Sequence, residues 1–400
     1  MTSPRLSQRG SSSTTRHIAS LDALRGLAAL SVVLFHVTLI VQQSLDPHWR
    51  GIQKLIEMIR LSPLFVMVAG SESVLVFFIL SGFVLYLMLS ARPLPYALYV
   101  RRRLLRLYPP YLVAVLISMA LAILLGGHKV AGFGPWINSL WQQPPEAAPF
   151  LHHVLVIGNP NAEPYNFVLW SLVQEMQISL IFPLLYGAIL RFRPTRVLAG
   201  CLVIGLMANA FALLLAHVSP ALEQMMIAYL DSFHYLVFFA IGALMARHST
   251  RLGQWYGALS LLSKLLLVVL GLASYTYGHL IIIRLGIASR ISDLLVLPGA
   301  FMLVLLFSYS ASVIEFSRHP SLQFLGRISY SLYLYHGVIL LAFLFGLGNR
   351  LPLGVLLLLA LICIIPLSAL AYHLVERPAI AWSRQRAGSG AAAKADTLRS

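Results

Sequence analysis

The sequence predicts an all-α, polytopic membrane helical bundle of about ten transmembrane helices, with both termini cytoplasmic. Three observations predict it. Hydrophobic types make up 59% of the 400 residues and charged types only 10%, with a mean hydropathy of +0.82. A soluble protein carries about 25% charged residues, and a soluble fold of this size needs more polar surface than that to face water. The apolar residues gather into runs that approach the ~20 residues a helix needs to cross a bilayer. The basic residues fall between those runs, concentrated in alternate connections. The composition excludes a cytosolic enzyme, a disordered chain and a disulfide-rich secreted scaffold.

Taken in order, residues 1–17 are rich in Ser, Thr and Arg and read as a disordered cytoplasmic tail. The apolar run that follows is too long for a cleaved leader and begins with Asp22 and Arg25, so it reads as a retained first span. Ten spans follow the length criterion: 19–42, 64–90, 107–126, 167–190, 197–217, 226–246, 257–277, 292–312, 327–347 and 352–375. Polar residues interrupt the fourth and the sixth. Gly278–Arg290 is partly apolar, and a re-entrant segment is an alternative for it. The membrane domain is expected over 18–382, and the Ala/Gly-rich residues 383–400 read as a second cytoplasmic tail.

The positive-inside rule tests the count. With a cytoplasmic N-terminus, cytoplasmic segments hold 21 Lys and Arg and outer loops seven, Arg25 lying within the first span. One missed helix would invert every later loop. The net charge of +16 is thereby assigned to orientation, and no nucleic-acid partner is expected. Cys201 and Cys363 lie in separate apolar runs and form neither a disulfide framework nor a zinc pattern. Nothing suggests a metal. No internal repeat is visible, which counts against inverted-repeat transporters. The longest connection, 127–166, is expected outside and contains His128, Trp136, Trp141, His152 and His153.

Ionisable residues within spans point to function, because lipid makes them costly. Arg25 and His36 are eleven residues apart on the first span, on one helical stripe about 16 Å apart along the axis. Asp22 stands three residues before Arg25, within pairing distance. Arg25 also reads as an anchor that snorkels to the interface, and His36 also reads as a hydrogen-bonded core histidine. Ser81 lies in Phe77–Phe83, where Ser-Gly favours close helix packing over a nucleophilic serine. Glu72 is near the expected outer end and reads as solvated. Arg103 and Arg106, three apart in a basic stretch that ends in Tyr108-Pro109-Pro110, either set orientation or clamp phosphates. Glu175 is a carboxylate in the fourth span that must pair or protonate. Asp231 with His234, and Tyr335 with His336, are further polar patches.

These motifs resemble the acyltransferase-3 family of integral membrane O-acyltransferases. Leu21–Ala28 with Phe35-His36 looks like the family's opening. Phe77–Phe83, Arg101–Pro110, Trp170–Glu175 with Phe182-Pro183, Gly326–His336 and Glu376-Arg377-Pro378 follow in the family's order. The resemblance covers roughly 18–382. It implies a ten-helix domain that moves an acyl group, often acetyl, from cytoplasmic acyl-CoA to a hydroxyl of a polysaccharide, lipid-linked glycan or macrolide. The family's Arg-x10-His pair falls on Arg25 and His36, its Arg-x-x-Arg pair on Arg103 and Arg106, and its fourth-span Glu on Glu175. Two positions depart from the pattern. The acid that often precedes Phe-Phe is Leu75 here, so its role is either absent or moved to Glu72, and the second Glu after Trp-Ser-Leu is Met176. The residues after Trp382 are too few for the soluble domain some members append.

The resulting expectation is an acyl-CoA-dependent O-acyltransferase in a bacterial inner membrane, with acyl-CoA as donor substrate, a hydroxyl acceptor and membrane lipid as partners, and no metal. His36, Arg25 and Glu175 are the catalytic candidates and Arg103 and Arg106 the donor-binding ones. Asp22, Ser81, Tyr335 and His336 are secondary candidates. His36 would act as general base or carry the acyl group transiently, and Glu175 would orient it. The competing readings are a transporter or flippase of a small anion or lipid-linked sugar, and a non-catalytic partner in glycan assembly.

Overall fold

A computed structural model describes residues 5–142, 165–284 and 289–385. Its helices, in chain order, are α1 (Arg5–Gln42), α2 (Arg50–Arg60), α3 (Gly70–Ala91), α4 (Tyr96–Leu125), α5 (Trp170–Arg191), α6 (Pro194–Val218), α7 (Pro220–Arg247), α8 (Ser249–Ala258), α9 (Leu261–Arg284), α10 (Ser289–Tyr309), α11 (Ala311–Ser317), α12 (Pro320–Leu347), α13 (Leu353–Ala371) and α14 (Arg377–Gln385). A π turn, Tyr372–Glu376, joins the last two. Among the described residues there is no strand, only an isolated bridge between Ser44 and Phe133. Ten of the helical stretches are long and apolar enough to span a membrane, from Ala19–Gln42 to Leu353–Arg384. The all-α, ten-span expectation holds.

Several boundaries differ from the hydropathy reading, among them the ninth span, whose helix starts at Pro320 rather than 327. α1 begins at Arg5, inside the stretch that composition assigns to a tail, and its apolar part begins at Ala19. The second span starts at Gly70 rather than 64, because Ser62 caps a short 3-10 turn at Pro63–Met67. α4 starts at Tyr96, so Arg101–Arg106 lie on a helix and not in a loop. Its 30 residues rise about 45 Å, against a hydrocarbon core of about 30 Å, so its basic turns can continue the helix beyond the apolar layer. Gly278–Arg284 continues α9 as helix, so this part of the suggested re-entrant segment is an extension of a span. Residues 285–288 lie outside the described residues, as do 143–164, with His152 and His153, and 386–400.

Pro109, Pro110, Pro183, Pro298 and Pro366 sit inside helices. Membrane helices accommodate such prolines where neighbours satisfy the freed carbonyls.

The chain divides into two compact units. The first comprises the described parts of Met1–Val41, Arg50–Leu87 and Val237–Ser329. Here close helix crossings are made by glycine. A Cβ on Gly26 would lie 2.5 Å from Gly326 N, and one on Gly82 or Gly242 would overlap the backbone of Phe239 or Ile79. Backbone contact of this kind is how helices associate in lipid, where apolar side chains gain little from leaving the solvent. The Ser81-Gly82 pair is therefore a packing element, and Ser81 itself is buried. Gly242→Leu should destabilise this crossing by at least the ~1–3 kcal/mol typical of overpacking. Heating the protein in detergent and following loss of the monodisperse species checks this; an unchanged midpoint would contradict the packing assignment.

The second unit comprises Gln42–Trp49, Met88–Leu236 and the described part of Tyr330–Ser400. α14 packs against α4. The described start of the long connection folds on itself. Trp141 is buried, its indole N–H donates to the Tyr165 carbonyl at 2.9 Å, and Asn138 Oδ1 accepts from Val130 N at 2.8 Å.

Candidate active site

Within the first unit, α1 carries Asp22, Arg25 and His36 on an uninterrupted helix, as the spacing requires. Arg25 Nη1 lies 3.8 Å from Asp22 Oδ1, an ion pair between half-exposed groups without hydrogen-bond contact. Both face a small cavity lined also by Leu80, Phe83 and Val84 of α3. About 16 Å of helix rise keeps Arg25 from touching His36. The half-buried imidazole of His36 has Nδ1 2.9 Å from the Val32 carbonyl. A carbonyl oxygen only accepts, so Nδ1 carries a proton, and in the neutral form of the ring the lone pair is on Nε2. The tautomer that triad logic asks a carboxylate to fix is fixed here by a main-chain carbonyl one turn back.

Within the second unit, α4 and α5 meet through two rungs one helical turn apart. The Tyr99 hydroxyl donates to the Ser179 carbonyl at 2.6 Å, and Arg103 Nη2 lies 3.6 Å from Glu175 Oε1. Tyr99 and Arg103, and likewise Glu175 and Ser179, are four residues apart and so share a face. Arg103 is 7% exposed. Its Nε and Nη2 are buried and lack hydrogen-bond partners among the described residues. A buried guanidinium with open donors is a binding element for an acceptor-rich group. Arg106, by contrast, is exposed. The expected pair of equivalent phosphate clamps is thus one buried and one surface arginine. They are three residues apart, about 300° around the helix, close enough for neighbouring faces without equal burial.

α12 completes this cluster. The Tyr330 hydroxyl donates to the Leu107 carbonyl at 2.9 Å, and the charges acting on Tyr330 are those of Glu175, Glu376 and Arg103. Tyr333 and Ser171 join their hydroxyls at 2.6 Å. Glu376, 6% exposed in the π turn, accepts from Ser331 at 2.6 Å. π turns recur at functional sites. Sequence reading noted the Glu376-Arg377-Pro378 motif without giving Glu376 a role; that motif was the available signal.

Three other polar residues are buried. His336 has Nδ1 3.0 Å from the Leu332 carbonyl, the same contact one turn back that His36 makes, but is fully buried where His36 is half-buried. Tyr335 is 5% exposed, with a buried hydroxyl that has no partner among the described residues. His234 is buried and its Nδ1 accepts from Asn209 Nδ2 at 3.0 Å, a contact to α6. Glu72 corrects the sequence reading: at 2% exposure it is not solvated. It meets His279, which in turn meets Asp293. Neither partner was singled out from the sequence, although any ionisable residue in an apolar run is a signal.

The family model described as an acyltransferase domain, acyltransferase-3, matches residues 18–373. No curated protein and no solved structure matches the chain. The match spans nearly the whole membrane domain and includes the candidate residues above other than Glu376. Together with ten membrane-length helices, it means that the chain belongs to the acyltransferase-3 family of integral membrane proteins.

Proposed function

We propose that this protein is a membrane O-acyltransferase that moves an acyl group, acetyl foremost, from cytoplasmic acyl-CoA to a hydroxyl of a glycan, a lipid-linked sugar or a secondary metabolite. A bacterial inner membrane is the proposed location. Family membership supports the acyltransferase class. The observation that carries the mechanism is the His36 ring, oriented through Nδ1 with its lone pair on Nε2.

In the general-base route, Nε2 takes the proton of the acceptor hydroxyl as its oxygen attacks the thioester carbonyl carbon. The C–S bond breaks, and the imidazolium returns the proton to the CoA thiolate. In the covalent route, Nε2 itself attacks the thioester carbonyl carbon and the C–S bond breaks to release the CoA thiolate; the acceptor oxygen then attacks the acyl-imidazole, the C–N bond breaks to return the neutral ring, and the hydroxyl proton passes to the CoA thiolate. Both need the same tautomer. Exposed Arg106, on the basic turns of α4, is assigned to the donor's phosphates. Buried Arg103, with Glu175 as counter-charge, holds the inner part of the donor site. Arg25 is assigned to the stabilisation of negative charge along the α1 stripe.

The test uses inside-out membrane vesicles that contain the full chain, supplied with [14C]acetyl-CoA and a panel of glycan, lipid-linked sugar and macrolide acceptors. The reading predicts label in a base-labile ester with wild type and none above background with His36→Ala. Equal label in both would remove the histidine role. Uptake of solute without any acyl donor, and no ester, would favour transport instead.

A further inference from the structure

Three ionisable side chains come together in the first unit outside the α1 stripe. His279, in the last turns of α9, stands between Glu72 in the first turn of α3 and Asp293 in the first turns of α10. Its Nδ1 lies 2.5 Å from Glu72 Oε1 and its Nε2 2.9 Å from Asp293 Oδ1. Glu72 is 2% exposed and Asp293 7%. Among the described residues no three such groups gather as metal ligands, so this is a carboxylate–imidazole–carboxylate chain that links three helices. One turn before His279, the Tyr275 hydroxyl meets Ser73 Oγ at 3.3 Å. As a tie between helices alone the cluster is a poor choice, since apolar packing of the same volume is often as stable as a buried ion pair. What ionic contacts add is a defined register.

That register leads to α1. Ser31 Oγ accepts from Ala69 N at 3.0 Å and donates to the Val66 carbonyl at 3.1 Å. Gly70 lies against the Phe35 ring so closely that a Cβ would overlap it. The Phe35 and His36 rings meet edge to face with centroids 5.0 Å apart. The start of α3, which Glu72 fixes, is thus the surface against which Phe35 rests, beside His36.

We propose that Glu72, His279 and Asp293 are positioning residues for His36: they hold the first turn of α3 against Phe35, and Phe35 holds the His36 ring in its working orientation. This rests on His36 being the acyl-transfer group. It assigns function to a set of contacts that touches no reacting atom, and it explains why Gly70 has no side chain.

The test compares the full-length protein in nanodiscs with His279→Gln, Asp293→Asn and Gly70→Ala. One readout needs no acyl transfer: the rate at which diethyl pyrocarbonate modifies His36, located by peptide mass spectrometry. The other is the split between kcat and the KM for acetyl-CoA. The proposal expects all three variants to change the His36 modification rate at least threefold. It expects kcat to fall at least tenfold with KM within twofold. His279→Lys, which places another nitrogen donor between the carboxylates, should recover part of kcat. Wild-type His36 reactivity in folded His279→Gln overturns the proposal, and so does a loss confined to KM. If His279→Gln does not fold, Asp293→Asn and Gly70→Ala decide in the same terms. Absence of acyl transfer by wild type counts against the proposed function, while the modification rates still decide whether the cluster sets His36.

Discussion

His36→Ala should lower acyl transfer by about 10²–10⁴-fold, the range typical of a positioned acid–base group, and leave acetyl-CoA binding within twofold. The reasoning starts at one hydrogen bond. With Nδ1 held by the Val32 carbonyl at 2.9 Å, only Nε2 of the neutral ring is basic. His36→Gln is the stricter variant, because it keeps a polar side chain of similar reach and loses the base. The covalent and general-base routes separate in a single turnover without acceptor. A burst of free CoA thiol equal to enzyme indicates an acyl-histidine, whereas no burst leaves the general-base route. Steady-state rates in either variant within threefold of wild type would remove His36 from the mechanism.

The second large effect concerns Arg103 and Glu175. Removal of one partner of a buried ion pair typically costs about 3–5 kcal/mol, because it leaves the other charge uncompensated. Arg103 is the more deeply buried, its side chain 8% exposed against 18% for Glu175. Glu175→Gln, which strands the guanidinium, should therefore destabilise more than Arg103→Met. The double variant Arg103→Met/Glu175→Gln should be more stable than the sum of the singles predicts. A double-mutant cycle on thermal midpoints in nanodiscs measures this coupling. Strict additivity would mean that the 3.6 Å approach carries no interaction. Arg103→Met and the double variant should also weaken acetyl-CoA binding, because they remove the open Nε and Nη2 donors of Arg103.

The fold was legible because lipid imposes length. Most of the spans lie near turns that prolines, glycines and basic residues mark, and a helix is the form a single apolar run can take there. α4 departs furthest. A purely apolar criterion starts it after its arginines, whereas the helix hydrogen bonds run on to Tyr96 because nothing between Tyr96 and Arg106 breaks them. The α1 stripe was legible for the same geometric reason: the positions of Arg25 and His36 on one helix are a matter of 3.6-residue periodicity. The pairing of Arg103 with Glu175, 72 residues on in sequence, was not. Two lone charges in two spans say that each needs a partner, but not which one. The Glu72–His279–Asp293 chain was missed for that reason, and because Glu72 at a helix end looks the same in sequence whether water or a histidine covers it. Only the packing of α3 against α9 and α10 decides between them.

Calorimetric titration of acetyl-CoA into the full chain in nanodiscs tests the central claim most directly. The account predicts saturable binding, weakened at least tenfold by Arg106→Ala, a substitution at an exposed position. It predicts a larger loss for Arg103→Ala/Arg106→Ala. Well-folded protein that binds neither acetyl-, succinyl- nor longer acyl-CoA would contradict it and move the function to transport.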